Sequence, residues 1–460
     1  MAIGKEGNVK WVDGLRGIAS SLVVIKHVTI AFFPYIMWPA PSPGEEPVFL
    51  EHPFIRVFFQ GRIGVAIFSF VTGYVCCLKP IKCFKSGSQD KAFAAISKSA
   101  VRRVPRLVLP VAIVLALSAL ATQLGAFTIA QNSTGYGLDV TSPPYDPDWF
   151  HALQTLIRDE VRVWTTGESV YGAELWTMLP ILKGAFWVYC YLLATAHVQQ
   201  RYRMLIALIM TMYRWCANDP FFGMQFFFGA FMADLQNLSM DESTAPVVAF
   251  LSPSKSHVKY LRMLGSVFFL IAGFFVASLP DDHADWQPWS QSLYNFLQAI
   301  LPRAPDFPRF SSGIGLMLIV MGLHFSDAAR TVLASKPFIW LGRMSFAVYL
   351  LHNQILRSVL CWMVYGLTLP EQPADVQDPE SGEWWTPERP RLEFPGAGRL
   401  FMVLPIYWFL VYGAAWLWTT YVDAWCARVT EKLVGAVKED DGREKSEPLL
   451  PVAAPAPARS

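Results

Sequence analysis

Residues 104–126 read VPRLVLPVAIVLALSALATQLGA, an apolar run whose single charge, Arg106, lies near its start. A helix needs roughly 20 such residues to cross the hydrocarbon core of a bilayer, so this stretch argues for a membrane span. Working outward, nine further segments come close to the same pattern: about 15–36, 58–78, 175–197, 203–217, 220–236, 260–279, 311–327, 339–366 and 400–424. The composition agrees. Of 460 residues, 53% are hydrophobic and 16% are charged, whereas a soluble chain carries roughly a quarter charged residues. A mean hydropathy of +0.32 over the whole length is equally hard to place in water. These values exclude a disordered, fibrous or disulfide-stapled secreted protein. With 38 Lys+Arg against 36 Asp+Glu, the net charge of +2 also argues against a nucleic-acid binder. The expected fold class is all-α, a polytopic membrane protein of about ten transmembrane helices, with no visible internal repeat.

Loop charges give orientation, since cytoplasmic loops collect Lys and Arg. The second connection holds Lys79, Lys82, Lys85, Lys91, Lys98, Arg102, Arg103 and Arg106 against Asp90 alone. The third, about 127–174, is acid-rich, 280–310 opens with Asp281, Asp282 and Asp285, and 367–399 is again acidic. Basic and acidic connections alternate as a ten-span chain with both termini in the cytosol requires. The seven cysteines avoid the acid-rich loops, so no disulfide framework is expected. Asn132-Ser133-Thr134 is a sequon on the luminal side, and a glycan is expected there; Asn237-Leu238-Ser239 falls on the cytosolic side and should stay unmodified. No cleavable signal precedes the first span, which is expected to insert the chain itself. The transmembrane domain is expected over 1–425, followed by a cytosolic, disordered tail over 426–460 whose end is Pro/Ala-rich. The expected setting is the endoplasmic reticulum or another endomembrane.

Ionisable groups inside spans are costly and therefore functional candidates. Arg16 and His27 are eleven residues apart in the first span, which returns to within about 20° of one helix face and sets His27 roughly 16 Å deeper. A snorkelling Arg plus a His hydrogen-bonded to a neighbouring helix would read the same way. Arg102-Arg103-Val104-Pro105-Arg106 gathers three guanidiniums at the cytosolic rim. Guanidinium grips phosphate in a bidentate fork, although a positive-inside anchor needs no ligand. In the ninth span, Ser345, Tyr349 and His352 share a face; polar glue between helices would look alike. Arg62 and His324 are expected to be structural. No metal site is expected.

Taken in order, these pieces resemble the acyltransferase-3 family of integral membrane acyltransferases over about 11–425. Trp11-Val12-Asp13-Gly14-Leu15-Arg16-Gly17 followed by His27 is similar to the family's opening signature, and Arg103-Val104-Pro105-Arg106 resembles its R-x-x-R motif. Gly64 to Phe68 with Thr72-Gly73-Tyr74, and Ser345 to His352, look like its second-span and late patterns, and Phe228-Gly229 with Met232-Ala233-Asp234 like a weaker element. Relatives usually carry a Glu shortly after the Trp-Thr of the fourth span. Here that stretch is Trp176-Thr177-Met178-Leu179-Pro180-Ile181, Ile181 stands where the carboxylate is expected, and Glu174 precedes the Trp.

The resemblance implies transfer of an acyl group, acetyl included, from acyl-CoA to a hydroxyl of a small lipophilic acceptor such as a secondary metabolite. Acyl-CoA would be a co-substrate, with no bound cofactor. Arg103 and Arg106, with Arg16, would meet its phosphates. The thioester would arrive beside His27 as general base, and His352 would stabilise the oxyanion, donate a proton or be structural. A non-catalytic or repurposed family member and a transporter are the alternative readings. The expected partners are acyl-CoA, the hydroxylated acceptor and the lipid bilayer.

Overall fold

The computed structural model describes residues 9–237, 256–302, 305–377 and 384–437. Each apolar segment folds as helix. The chain begins with α1 (Lys10–Phe32), α2 (Arg62–Lys85) and α3 (Gln89–Gln123), followed by the amphipathic α4 (Trp149–Thr165) and then α5 (Met178–Ala194). It continues through α6 (Gln200–Cys216), α7 (Gly223–Gln236), α8 (Ser256–Ala277), α9 (Phe307–Phe325), α10 (Lys336–Ile355), α11 (Ala397–Leu417) and α12 (Ala424–Val437). A short antiparallel pair, Val376–Gln377 with Trp384–Trp385, interrupts this helical architecture.

Among the described residues, six helical stretches are long and apolar enough to cross a membrane: Lys10–Phe32, Arg62–Lys85, Gln89–Gln123, Ala173–Ala194, Phe307–Phe325 and Ala397–Val437. The expected count of ten is not reached on length and apolarity. α6 and α7 have 17 and 14 residues, about 25 and 21 Å at 1.5 Å per residue, short of a hydrocarbon core of about 30 Å. α8 is apolar over Tyr260–Val276 only. α10 carries Lys336, Arg343 and His352 among its apolar residues. α12 lies along α3, with Arg102 paired to Glu431. Residues 438–460 lie outside the described residues.

The acid-rich connections meet at one end of the bundle. Arg62 donates to Leu279 O at 2.6 Å and pairs with Asp281, as expected of a structural arginine, and Asp281 N reaches Met37 O. Tyr136 N donates to Ala31 O, and Thr134 N to Leu392 O. Arg391 bonds Asp139 at 2.8 Å and holds that carboxyl below the usual carboxylate range; both side chains are exposed enough that the pair adds no more than about 1 kcal/mol. At the opposite, basic end Lys85 Nζ reaches Asn237 O at 2.9 Å. Leu238 and Ser239, which complete the second sequon, lie outside the described residues.

α4 sits at the acidic end beside α3. Trp149, Phe150, Leu153, Ile157 and Val161 form its exposed stripe, while Ala152, Asp159 and Val163 are buried. Leu117 and Leu120 of α3 and Leu124 just after it are exposed as well, a set of apolar surfaces suited to lipid rather than water. From the buried face, Asp159 accepts Ser169 Oγ at 2.7 Å and Val170 N at 2.8 Å. This braces the segment that leads into α5.

Candidate active site

Glycine lets α1 and α10 cross at close range. A Cβ added to Gly342 would lie 2.0 Å from Asp13 O, and one added to Gly17 would lie 2.6 Å from Gly342 N. At this crossing Arg16 donates from Nη2 and Nε to Gly342 O at 2.7 and 3.2 Å, with Asp13 3.8 Å away. The helices run in the same sense, so the deeper residues also meet. The His27 and His352 rings lie 5.1 Å apart, centroid to centroid, inclined at 53°. The shared face expected for Arg16 and His27 is therefore real, and α10 is what it faces.

The two histidines differ in access. His352 is fully buried. Its Nδ1 lies 2.8 Å from Tyr349 O and 3.0 Å from Val348 O; carbonyls only accept, so Nδ1 carries the proton and Nε2 keeps its lone pair. That Nε2 is buried without a hydrogen-bond partner. His27 is half-buried. Tyr407 fixes the same turn by donating to His352 O at 3.2 Å.

Other motif residues converge on the pair. The Tyr349 hydroxyl bonds Thr177 Oγ1 at 2.8 Å and reaches Glu174 O. Phe68 of α2 packs edge-on against the Tyr349 ring at 5.7 Å. Ser345, by contrast, turns back to its own helix and donates to Gly342 O. Asp234 of the weaker element forms a buried pair with Arg203 at 2.6 Å, which ties α7 to α6 rather than to this site.

At the basic end, the three clustered arginines separate. Arg103 donates to Thr72 Oγ1 at 3.2 Å, its Nε is buried without a partner, and it lies close enough to Arg16 for the two cations to act on each other. Arg102 is occupied by Glu431. Arg106 is exposed and its charge acts on Asp423, the residue just before α12. Arg16 and Arg103 thus form a cationic pair with Asp13 nearby, an arrangement that suits an anion. Arg106 lies apart from that pair.

Several residues around the pair escape a reading of the sequence. Glu174 is 2% exposed and accepts Asn353 Nδ2 at 2.8 Å and Gln354 Nε2 at 3.1 Å. Arg357, fully buried, donates to Tyr171 O at 3.0 Å and Gln354 Oε1 at 2.6 Å and packs over Phe127. Ile181 is buried in apolar surroundings, so the position expected to hold a carboxylate holds none.

A family model described as an acyltransferase domain matches residues 9–419. O-acetyltransferase PaAT-1 of Phomopsis amygdali is 27% identical over 377 residues, covering 76% of this chain and 73% of the relative. Acyltransferase R4 of a Phoma species is 24% identical and acyltransferase clz18 of Cochliobolus lunatus 21% identical, each over 74% of this chain and 81% of its own length. No solved structure is matched. The chain, in which one helix crossing joins Arg16 to Gly342 and His27 to His352, belongs to this acyltransferase family.

Proposed function

We propose that the protein is a membrane-bound O-acyltransferase that moves an acyl group, acetyl in the first instance, from acyl-CoA to a hydroxyl of a small lipophilic acceptor. The observation that carries this reading is the His27–His352 pair, 5.1 Å apart, with the free Nε2 of His352 buried beside it. The name of the Phomopsis relative, an O-acetyltransferase, supports acetyl as the group transferred.

In this mechanism the CoA phosphates meet Arg16 and Arg103, and the pantetheine arm runs inward along α1. The acceptor hydroxyl gives its proton to the half-buried His27 as its oxygen attacks the thioester carbonyl. The tetrahedral intermediate collapses, the C–S bond breaks, and the CoA thiolate leaves and recovers the proton from the imidazolium. His352, close enough to share the charge, stabilises the protonated pair. Burial among apolar side chains disfavours two imidazoliums at this distance, so one neutral ring remains available.

The same reading has ten spans, with the basic end and both termini in the cytosol of an endomembrane, where acyl-CoA is found. The short helices α6 and α7 then span with the help of neighbours rather than by length. Under this orientation Asn132 should carry a glycan. Its Nδ2 donates to Thr128 O at 2.8 Å in the folded chain, so attachment must precede folding. Endoglycosidase should shift the mobility of the wild type and not of Asn132→Gln; an unshifted wild type would contradict the orientation.

The arginines supply the experiment that tests donor binding. Arg103→Ala should raise the KM for acetyl-CoA by about tenfold or more, the range for one charge-assisted bond, while kcat stays within a few-fold. Arg106→Ala should do much less, because Arg106 is exposed and, unlike Arg103, is not among the charges that act on Arg16. Steady-state kinetics in proteoliposomes checks both. An unchanged KM in Arg103→Ala would mark Arg103 as an anchor.

A further inference from the structure

Glu174 has no part in the steps above, yet it is one of the most thoroughly enclosed carboxylates near them. It lies in the turn Ala173–Thr177 ahead of α5 and is 2% exposed. Its two oxygens accept from the side-chain amides of Asn353 and Gln354, the residues that directly follow His352. Its main-chain oxygen accepts the Tyr349 hydroxyl. The segment is held from behind as well: Ser118 Oγ donates to Tyr171 O at 2.7 Å, and Asp159 grips residues 169–171.

This carboxylate has an unusual set of partners. Among the described residues no salt bridge within contact distance reaches it; the buried Arg357 donates to Gln354 Oε1, Gln354 Nε2 donates to the carboxylate, and the guanidinium charge acts on Glu174 across that bridge. A buried carboxylate held by neutral amides is costly unless a positive charge compensates it. Beside the permanent charge of Arg357, His352 is the group near it that can gain a positive charge, and it is close enough to feel the carboxylate's field.

We propose that Glu174 is a positioning residue for the histidine pair: its carboxylate locks the Asn353–Gln354 turn, and with it the His352 ring, while its negative charge stabilises the imidazolium formed during acyl transfer. The proposal rests on the acyl-transfer reading. The hydroxyl proton moves to His27, the positive charge is shared with His352, and Glu174 takes no proton in the step. A fixed negative charge a short distance from a developing positive charge, away from water, stabilises the charged state more than the neutral one. It therefore acts on kcat and not on donor binding, which occurs at Arg16 and Arg103.

The test is Glu174→Gln, which keeps the size of the side chain and removes its charge. With acetyl-CoA as donor and a panel of lipophilic alcohols (a sterol, a terpenoid alcohol, a phenol) as acceptors, kcat per folded molecule should fall by about 10- to 100-fold, the range for a slightly displaced reacting group. The KM for acetyl-CoA should stay within about twofold. Glu174→Asp should recover part of the loss. Combined with His352→Ala, the Glu174→Gln effect should shrink, because the residue acts through the ring that is gone. A kcat within twofold of wild type, or losses that multiply in the double variant, would overturn the proposal. Should Glu174→Gln fail to fold, Asn353→Ala takes its place: a lowered kcat with unchanged KM supports the proposal, and an unchanged kcat refutes it. A wild-type protein that forms no ester would sink the acyl-transfer reading itself, and an active His27→Ala protein would sink the histidine assignment on which this proposal rests. An inactive one beside a fully active Glu174→Gln would sink only this proposal.

Discussion

His27→Ala is expected to lower acyl transfer per folded molecule by about 10²- to 10⁴-fold, the usual worth of a general base. The protein should still reach the membrane. α1 is held there by Val12, Leu15, Val23, Val24 and Val28, all buried, and by the close glycine contacts with α10, none of which involves the imidazole. A histidine serving only as polar glue would contribute about 1 kcal/mol between helices, so its removal would lower the yield of folded protein and leave the surviving molecules active. Activity normalised to the monodisperse fraction separates the two cases. His352 alone does not replace His27, because its ring is fully buried and its Nδ1 proton is committed to main-chain carbonyls.

Gly342→Ala is expected to have the next largest effect, although the residue touches no substrate. Its new Cβ would lie 2.0 Å from Asp13 O, a main-chain atom that cannot swing aside. The helices must part there, at a cost of about 1–3 kcal/mol or more for overpacking. The same shift moves the carbonyl that holds Arg16 and, deeper along the crossing, the contact between His27 and His352. A displacement of about 1 Å can cost 10²-fold in rate. Melting followed by size-exclusion chromatography, together with turnover, should show both losses. Gly398→Ala, where an added Cβ meets nothing within 4 Å, should show neither. A Gly342→Ala protein with wild-type melting and turnover would mean that the crossing is looser than described.

Much of this site could be read from spacing, and the unread parts share one physical cause. Arg16 and His27 fall on one face because helical periodicity is local, and the structure puts both against α10. What occupies the other side, Gly342 and His352, depends on packing between residues more than three hundred positions apart in the chain. The arginines at 102, 103 and 106 are adjacent in sequence and so read as one cluster. On a helix, roughly 100° of rotation per residue sends them to different neighbours, Glu431, Thr72 and Asp423. α3 extends over 35 residues, starting at Gln89, because its first turns are basic and amphipathic and lie outside any apolar window. Glu174 looked misplaced by its offset from Trp176. The offset says nothing about where the turn at 173–177 folds, and it folds against α10.

If the histidine pair carries acyl transfer from acyl-CoA, donor cleavage and ester formation rise and fall together. Purified full-length chain in proteoliposomes is given acetyl-CoA labelled in the acetyl group together with the panel of lipophilic alcohols, and both free CoA and label in the organic phase are followed. The account predicts a labelled ester formed in step with CoA release, reduced about 10²-fold or more in His27→Ala. CoA release without ester, or ester formed equally well by His27→Ala, would contradict it.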